Sequence, residues 1–178
     1  MTNNLRMGHK LWLAVLAIIV LLVSVVGFAG YRSSKSQAQA DAVTRELATR
    51  VESALKWQGL TETNAARTQA MIVSSDPAVE AEFKDVIAAT SAQISQVQKA
   101  LEAMNLTEAD KAQMAKIAAA RSAMLELRKQ ATQMKGEGRN DEAIALVKQS
   151  YNPAVAAYLQ SLRDFVDLQQ KYAAQRQS

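Results

Sequence analysis

The sequence predicts an all-α fold: an antiparallel up-down four-helix bundle preceded by one transmembrane helix. Three observations carry this. Only 6 Gly and 2 Pro occur in 178 residues, so chain breaks are few and turn-rich all-β folds are disfavoured. Ala and Gln are abundant and β-branched residues sparse after residue 30, which favours helix. Apolar side chains recur at heptad spacing in four successive stretches. The length suits one bundle domain.

Residues 1–10 carry Arg6, His9 and Lys10 and are read as a cytoplasmic N-terminus. Residues 11–30 read LWLAVLAIIVLLVSVVGFAG, with no charge and one hydroxyl, Ser24. At about 1.5 Å per residue this run spans roughly 30 Å, the thickness of a bilayer core. It is expected to be an uncleaved anchor, with Trp12 at the interface. A cleaved signal peptide is the competing reading, because Gly27 and Ala29 offer a small-x-small site. Either way residues 31–178 cross to the far side of a membrane. The lack of Cys fits a bacterial periplasm and an inner-membrane location.

The remaining chain divides at three turns. Asp76 is a good N-cap with Pro77 at the first helical position. Thr107 followed by Asp110 resembles a capping box. Gly136 and Gly138 end a helix, and Asn140 or Asp141 caps the next. The helices expected are 33–75, 77–104, 107–135 and 141–177. Short turns make neighbours antiparallel. Pro153 should kink the last helix near Gln149.

Each helix carries a core stripe. The first has Val43, Leu47, Ala54, Trp57, Thr61, Asn64, Thr68 and Met71. The second has Phe83, Val86, Thr90, Ile94, Val97, Leu101 and Met104. The third has Met114, Ile117, Arg121, Met124, Arg128 and Ala131. The fourth has Ile144, Val147, Tyr151, Val155, Tyr158, Leu162, Phe165 and Tyr172. Trp57 and the methionines are read as packing.

The composition also narrows the function. With no Cys and one His, disulfide frameworks, thiolate or His-based metal clusters, haem attachment and a His triad are excluded. The net charge of +4 is half supplied by Arg6 and Lys10, so the rest is a near-balanced helical surface with no nucleic-acid footprint. No nucleophile–base pair, phosphate loop or carboxylate dyad occurs, and neither an enzyme nor a cofactor is expected.

Polar residues interrupt the stripes. Arg67 lies beside Asn64 and Thr68, and Arg121 and Arg128 share a face with Met124. Counting from the distal turns at about 1.5 Å per residue, Arg67 and Arg128 lie about 12 Å deep. Asn64 and Tyr151 fall at roughly 17 Å, and Thr90 and Arg121 at about 21 Å. None of the stripes supplies an Asp or Glu in this slab. A buried unpaired guanidinium costs several kcal/mol. The arginines could snorkel or pair with flanking Glu62 or Glu126, pair across a homodimer interface, or bind an anion through their forked donors.

These residues resemble the periplasmic four-helix-bundle sensor domain of bacterial methyl-accepting chemotaxis proteins. The resemblance spans roughly residues 5–178. It rests on Trp57, Asn64 and Arg67 in the first long helix, the Asp76-Pro77 start, and Arg121 and Arg128. The turn from Gly136 to Ala143 and the Tyr151-Asn152-Pro153 stretch with Tyr158 also belong to it. It implies a homodimer with ligand held between helices near the membrane-distal end, and a helix displacement that crosses the membrane. It further implies a second membrane helix and a cytoplasmic signalling module beyond Ser178. In the organic-acid branch the third helix carries Arg-x-x-Tyr-x-x-x-Arg; here Met124 stands where the tyrosine occurs, between Arg121 and Arg128. Arg67 matches a first-helix arginine and Thr90 a second-helix hydroxyl.

The expected ligand is a di- or tricarboxylic acid or related organic anion. Arg67, Arg121 and Arg128 would neutralise it, Thr90 and Asn64 orient it, and Tyr151 close the pocket beside Met124. The alternative is a helical module that dimerises or docks a protein partner without a small ligand. A metal-sensing bundle ranks third, for want of ligands.

Overall fold

A computed structural model describes the backbone of residues 7–175 and the side chains of residues 12, 15–26, 28, 32, 35 and 37–175. Arg6 and the side chains of His9, Lys10 and Ala29, which bear on orientation and cleavage, lie outside the described residues. The order is α1 (Met7–Val73), α2 (Pro77–Glu102), α3 (Glu108–Gly136), α4 (Asn140–Leu146), a π-helical turn (Val147–Tyr151) and α5 (Asn152–Gln175). No strand occurs among the described residues.

α1 is longer than the sequence reading proposes. The apolar run and the first bundle helix form one uninterrupted helix of 67 residues. Between Gly30 and Val73 the only Gly is Gly59 and there is no Pro, so nothing forces a break. Packing divides the chain between Glu46 and Leu47 into two compact units. In the first, the apolar side chains described from Trp12 to Phe28 are exposed. Ser24 Oγ donates to the Val20 carbonyl at 2.7 Å, so the one hydroxyl of the run is satisfied within its own helix. Among the described residues no helix is long and apolar enough to cross a membrane.

The second unit is the helical bundle. Its core holds Trp57, Ile72, Leu101, Ile117, Val147, Tyr151, Tyr158, Leu162 and Phe165, all almost fully buried. Cross-helix bonds fix the directions. Trp57 Nε1 donates to Tyr158 Oη, and Arg50 reaches Gln169, so α1 and α5 run antiparallel. Arg121 reaches Gln98 and Arg128 reaches Ser91, which makes α2 and α3 antiparallel. The starts form as the sequence requires: the Asp76 carboxylate accepts from Ala78 N–H with Pro77 following, and Thr107 and Asp110 form a full capping box. Gly138 adopts φ 78, the left-handed conformation that ends the turn after α3.

Two expectations need correction. Val86 does not hold the core position in α2; it is 39% exposed, and Ile87 is 6% exposed in its place. A strict seven-residue repeat drifts around a straight 3.6-residue helix, and here the neighbour takes the slot. The fourth bundle helix is not simply kinked. The Asn152 N–H bonds the Val147 carbonyl, five residues back, which widens one turn just before Pro153. Proline lacks an N–H and its ring crowds the carbonyl four residues earlier, here Gln149, and a π turn relieves both.

Candidate functional site

Asn64 and Thr61 come from α1, Ser91 and Ile94 from α2, Arg121, Met124 and Arg128 from α3. Tyr151 comes from the π turn and Tyr158 from α5. These side chains line one cavity of about 10 Å³, room for roughly one water molecule. Asn64, Arg121, Met124, Arg128 and Tyr151 are thus brought together. Arg67 and Thr90 are not in its lining. They bond each other instead, Arg67 Nη1 donating to Thr90 Oγ1 at 3.0 Å while Thr90 Oγ1 donates to the Val86 carbonyl at 2.8 Å.

The guanidinium groups have neutral partners throughout. Arg121 Nη1 donates to Gln98 Oε1 at 2.6 Å, and its Nη2 to Ser95 Oγ at 2.7 Å and the Ser91 carbonyl at 3.2 Å. Arg128 Nη1 donates to Ser91 Oγ at 3.1 Å. Among the described residues no ion pair includes Arg67, Arg121 or Arg128. The acids that flank them look elsewhere: Glu62 accepts from Gln58 and Glu126 from Gln130, each within its own helix.

Ser91 is the hub that the sequence reading missed. Its hydroxyl accepts from both Asn64 and Arg128, and its carbonyl from Arg121. The signal was present: Ser91, Ser95 and Gln98 repeat at i, i+4 and i+7 along one face of α2. The heptad reading settled on the adjacent Thr90.

Burial lowers the Arg128 pKa, with Tyr151 opposing and Arg121 reinforcing the shift. The group stays cationic at neutral pH, since a guanidinium does not lose its proton there. Burial likewise pushes the Tyr151 and Tyr158 phenols above their ordinary value, with Thr68 and Arg128 opposing at Tyr151 and Thr61 and Trp57 at Tyr158. A phenol that holds its proton more tightly when folded contributes fully below the unfolded value near about 10 and loses that contribution as pH rises toward the folded value. Ultraviolet absorbance during alkaline titration should therefore show Tyr151 and Tyr158 ionising later than a free phenol, together with loss of helix. Ionisation of all the tyrosines at the ordinary value with the helices intact would contradict this burial.

A larger cavity, about 170 Å³, lies where α1, α2, α3 and α4 meet their turns. Its charges already answer each other: Lys135 Nζ donates to the Met71 carbonyl and lies 3.9 Å from Glu80. Size alone does not make it the better site, because nothing charged there lacks a partner. At the other end of the bundle Arg50, Asp110 and Gln169 form a buried network. Arg50 Nη1 lies 3.3 Å from Asp110 Oδ2 and 3.2 Å from Gln169 Oε1, and Gln169 Nε2 donates to Asp110 Oδ1 at 2.6 Å.

The unit is a helical bundle with a polar seam through its interior and two arginines on that seam. Residues 4–178 match the family described as a four-helix-bundle sensory module for signal transduction, and the chain belongs to that family. None of the curated proteins matches the chain.

Proposed function

We propose that this sensory module binds a small organic anion, a di- or tricarboxylate or related acid, between Arg121 and Arg128. One observation carries the reading. Two half-buried guanidinium groups from α3 line a common cavity and hold only neutral oxygens. A carboxylate makes shorter and roughly twofold stronger bonds to a guanidinium than a hydroxyl or amide does. It would displace Ser91, Ser95 and Gln98 and so open the cavity, which is too small for an acid while those bonds stand. Tyr151 and Asn64 flank the same space. Arg67 and Thr90, paired one turn away, join when the α1–α2 seam adjusts or a partner copy packs against it.

The reading extends to topology. Residues 11–30 lie in the bacterial inner membrane and the bundle in the periplasm, acting as a homodimer and passing the signal by helix displacement. The exposed apolar side chains described between Trp12 and Phe28 support the membrane part, since such a patch is otherwise unfavourable in water.

Calorimetric titration of the full chain in detergent micelles with di- and tricarboxylates tests this. Arg121→Ala and Arg128→Ala should each weaken binding about 10- to 100-fold, the worth of lost charge-assisted hydrogen bonds. Neither should lower the melting temperature, because each removes a desolvated cation without an acid partner. Parent-like affinity in both variants overturns the site.

A further inference from the structure

The cavity has two chemically opposite walls. α3 supplies guanidinium groups, which only donate. α1 supplies oxygens. Asn64 is 5% exposed, lines the cavity, and its Oδ1 has no hydrogen-bond partner. Buried oxygens without partners are few in folded proteins. The Asn64 oxygen is one of them, on the wall of a cavity that two guanidinium groups also line.

The Asn64 amide cannot turn over to remove the problem. Its Nδ2 donates to the Ile87 carbonyl at 3.2 Å and to Ser91 Oγ at 3.0 Å. A carbonyl only accepts, so a flipped amide would set two acceptors against each other. The nitrogen is held on α2, and the oxygen is left for the interior.

Taking the proposed anion site as its premise, we infer that the cavity selects 2-hydroxy carboxylates. Arg121 and Arg128 hold the carboxylate while Asn64 Oδ1 accepts a hydrogen bond from the ligand's hydroxyl. An ammonium group is the other donor such an acid can carry. It fits worse, because no Asp or Glu lines the cavity and the cation would sit desolvated beside two guanidinium groups. A plain carboxylate fits worse as well, because it leaves the Asn64 oxygen buried and unanswered. Asn64 thus sets specificity, and the arginines set affinity.

The test compares acids that differ by one group. The full chain in detergent micelles is titrated with succinate, its 2-hydroxy counterpart malate and its 2-amino counterpart aspartate. Tricarballylate and its hydroxy counterpart citrate form a second pair. In whichever size class binds, the hydroxy acid should bind about tenfold tighter or more, the cost of an unanswered buried acceptor. Aspartate should bind more weakly than malate. Asn64→Ala should bring each pair to within about twofold. Should Asn64→Ala lose its helical signal, the comparison of acids on the parent chain decides by itself. Equal affinity within each pair, aspartate above malate, or a hydroxyl preference that survives Asn64→Ala overturns the selection. If equal affinities vanish in Arg121→Ala, the anion site stands and only the selection falls. Binding of none of the five removes the anion site and this inference together.

Discussion

Deleting Ala157 should unfold the bundle, while deleting Gln149 should leave it folded. Both residues are exposed and neither is in the core. The difference lies in the backbone around them. Removing one residue from an α-helix rotates everything beyond it by about 100°. Deletion of Ala157 would move Tyr158, Leu162 and Phe165, each 0% exposed, off the core face. Arg163 would take the place of Leu162, and Asp167 that of Val166, which is 7% exposed. Losing a buried Phe costs about 3–5 kcal/mol and a Leu about 2–5, before the desolvated charges are counted. With those charges the total is comparable to the roughly 5–15 kcal/mol that holds a domain together. Gln149 lies in the π turn, which already holds one residue more than α-helical spacing needs. Its loss converts that turn to ordinary α-helix and keeps α4 and α5 in phase. A cost of about 3 kcal/mol remains, because Pro153 then stands inside a regular helix. Adding Pro153→Ala should return most of it. Circular dichroism melts of the two deletions and of the Gln149 deletion with Pro153→Ala decide the matter. Equal damage from both deletions would mean that the π turn is not a spare residue.

The parts of this molecule legible in its sequence are those set by local chemistry. The Asp76-Pro77 start, the Thr107–Asp110 capping box and the glycine turn after α3 depend on a few neighbouring residues and form as read. The core faces of α1, α3 and α5 follow their spacing because the apolar side chains leave little choice. Ile87 for Val86 is a drift of one position, which a repeat of seven cannot resolve. Pro153 announced an irregularity but not its kind; whether a helix kinks or widens depends on what packs around it. At the seam, depth counting brings Asn64, Arg121, Arg128 and Tyr151 to one cavity. It carries no azimuth, so it could not show Arg67 and Thr90 turning to each other. Nor could it find Ser91, whose part depends on three partners from two other helices. The Arg50–Gln169 bond joins residues 119 apart, and no local pattern points to it.

That buried network is where a single atom-level change should cost most. Asp110→Ala should lower stability by about 3–5 kcal/mol, because it removes one member of a buried ion pair. Arg50 Nη1 loses its 3.3 Å contact, Gln169 Nε2 loses its 2.6 Å acceptor, and the Thr107 N–H loses the other half of the capping box. For a unit of this size each kcal/mol corresponds to about 3 °C, so the melting temperature should fall by roughly 10–15 °C. Asp110→Asn should recover only part of this. All three donors face the Asp110 oxygens, and an amide puts its own donor against one of them. The damage should trace to the broken pair, so Arg50→Met combined with Asp110→Leu should be more stable than Asp110→Ala alone. Recovery stays incomplete because Arg50 Nη2 also serves the Asn105 carbonyl at 2.5 Å, which the double variant leaves unanswered. The exposed pair Lys111–Glu108, one residue further along α3, gives the contrast: with side chains 59% and 90% exposed, its loss should change stability by under about 1 kcal/mol. Chemical denaturation of the four variants in low and high salt reads both effects. The Asp110 loss should persist in high salt, since buried charges are poorly screened. An Asp110→Ala cost no larger than that of Lys111→Ala would show that the network adds nothing to the fold.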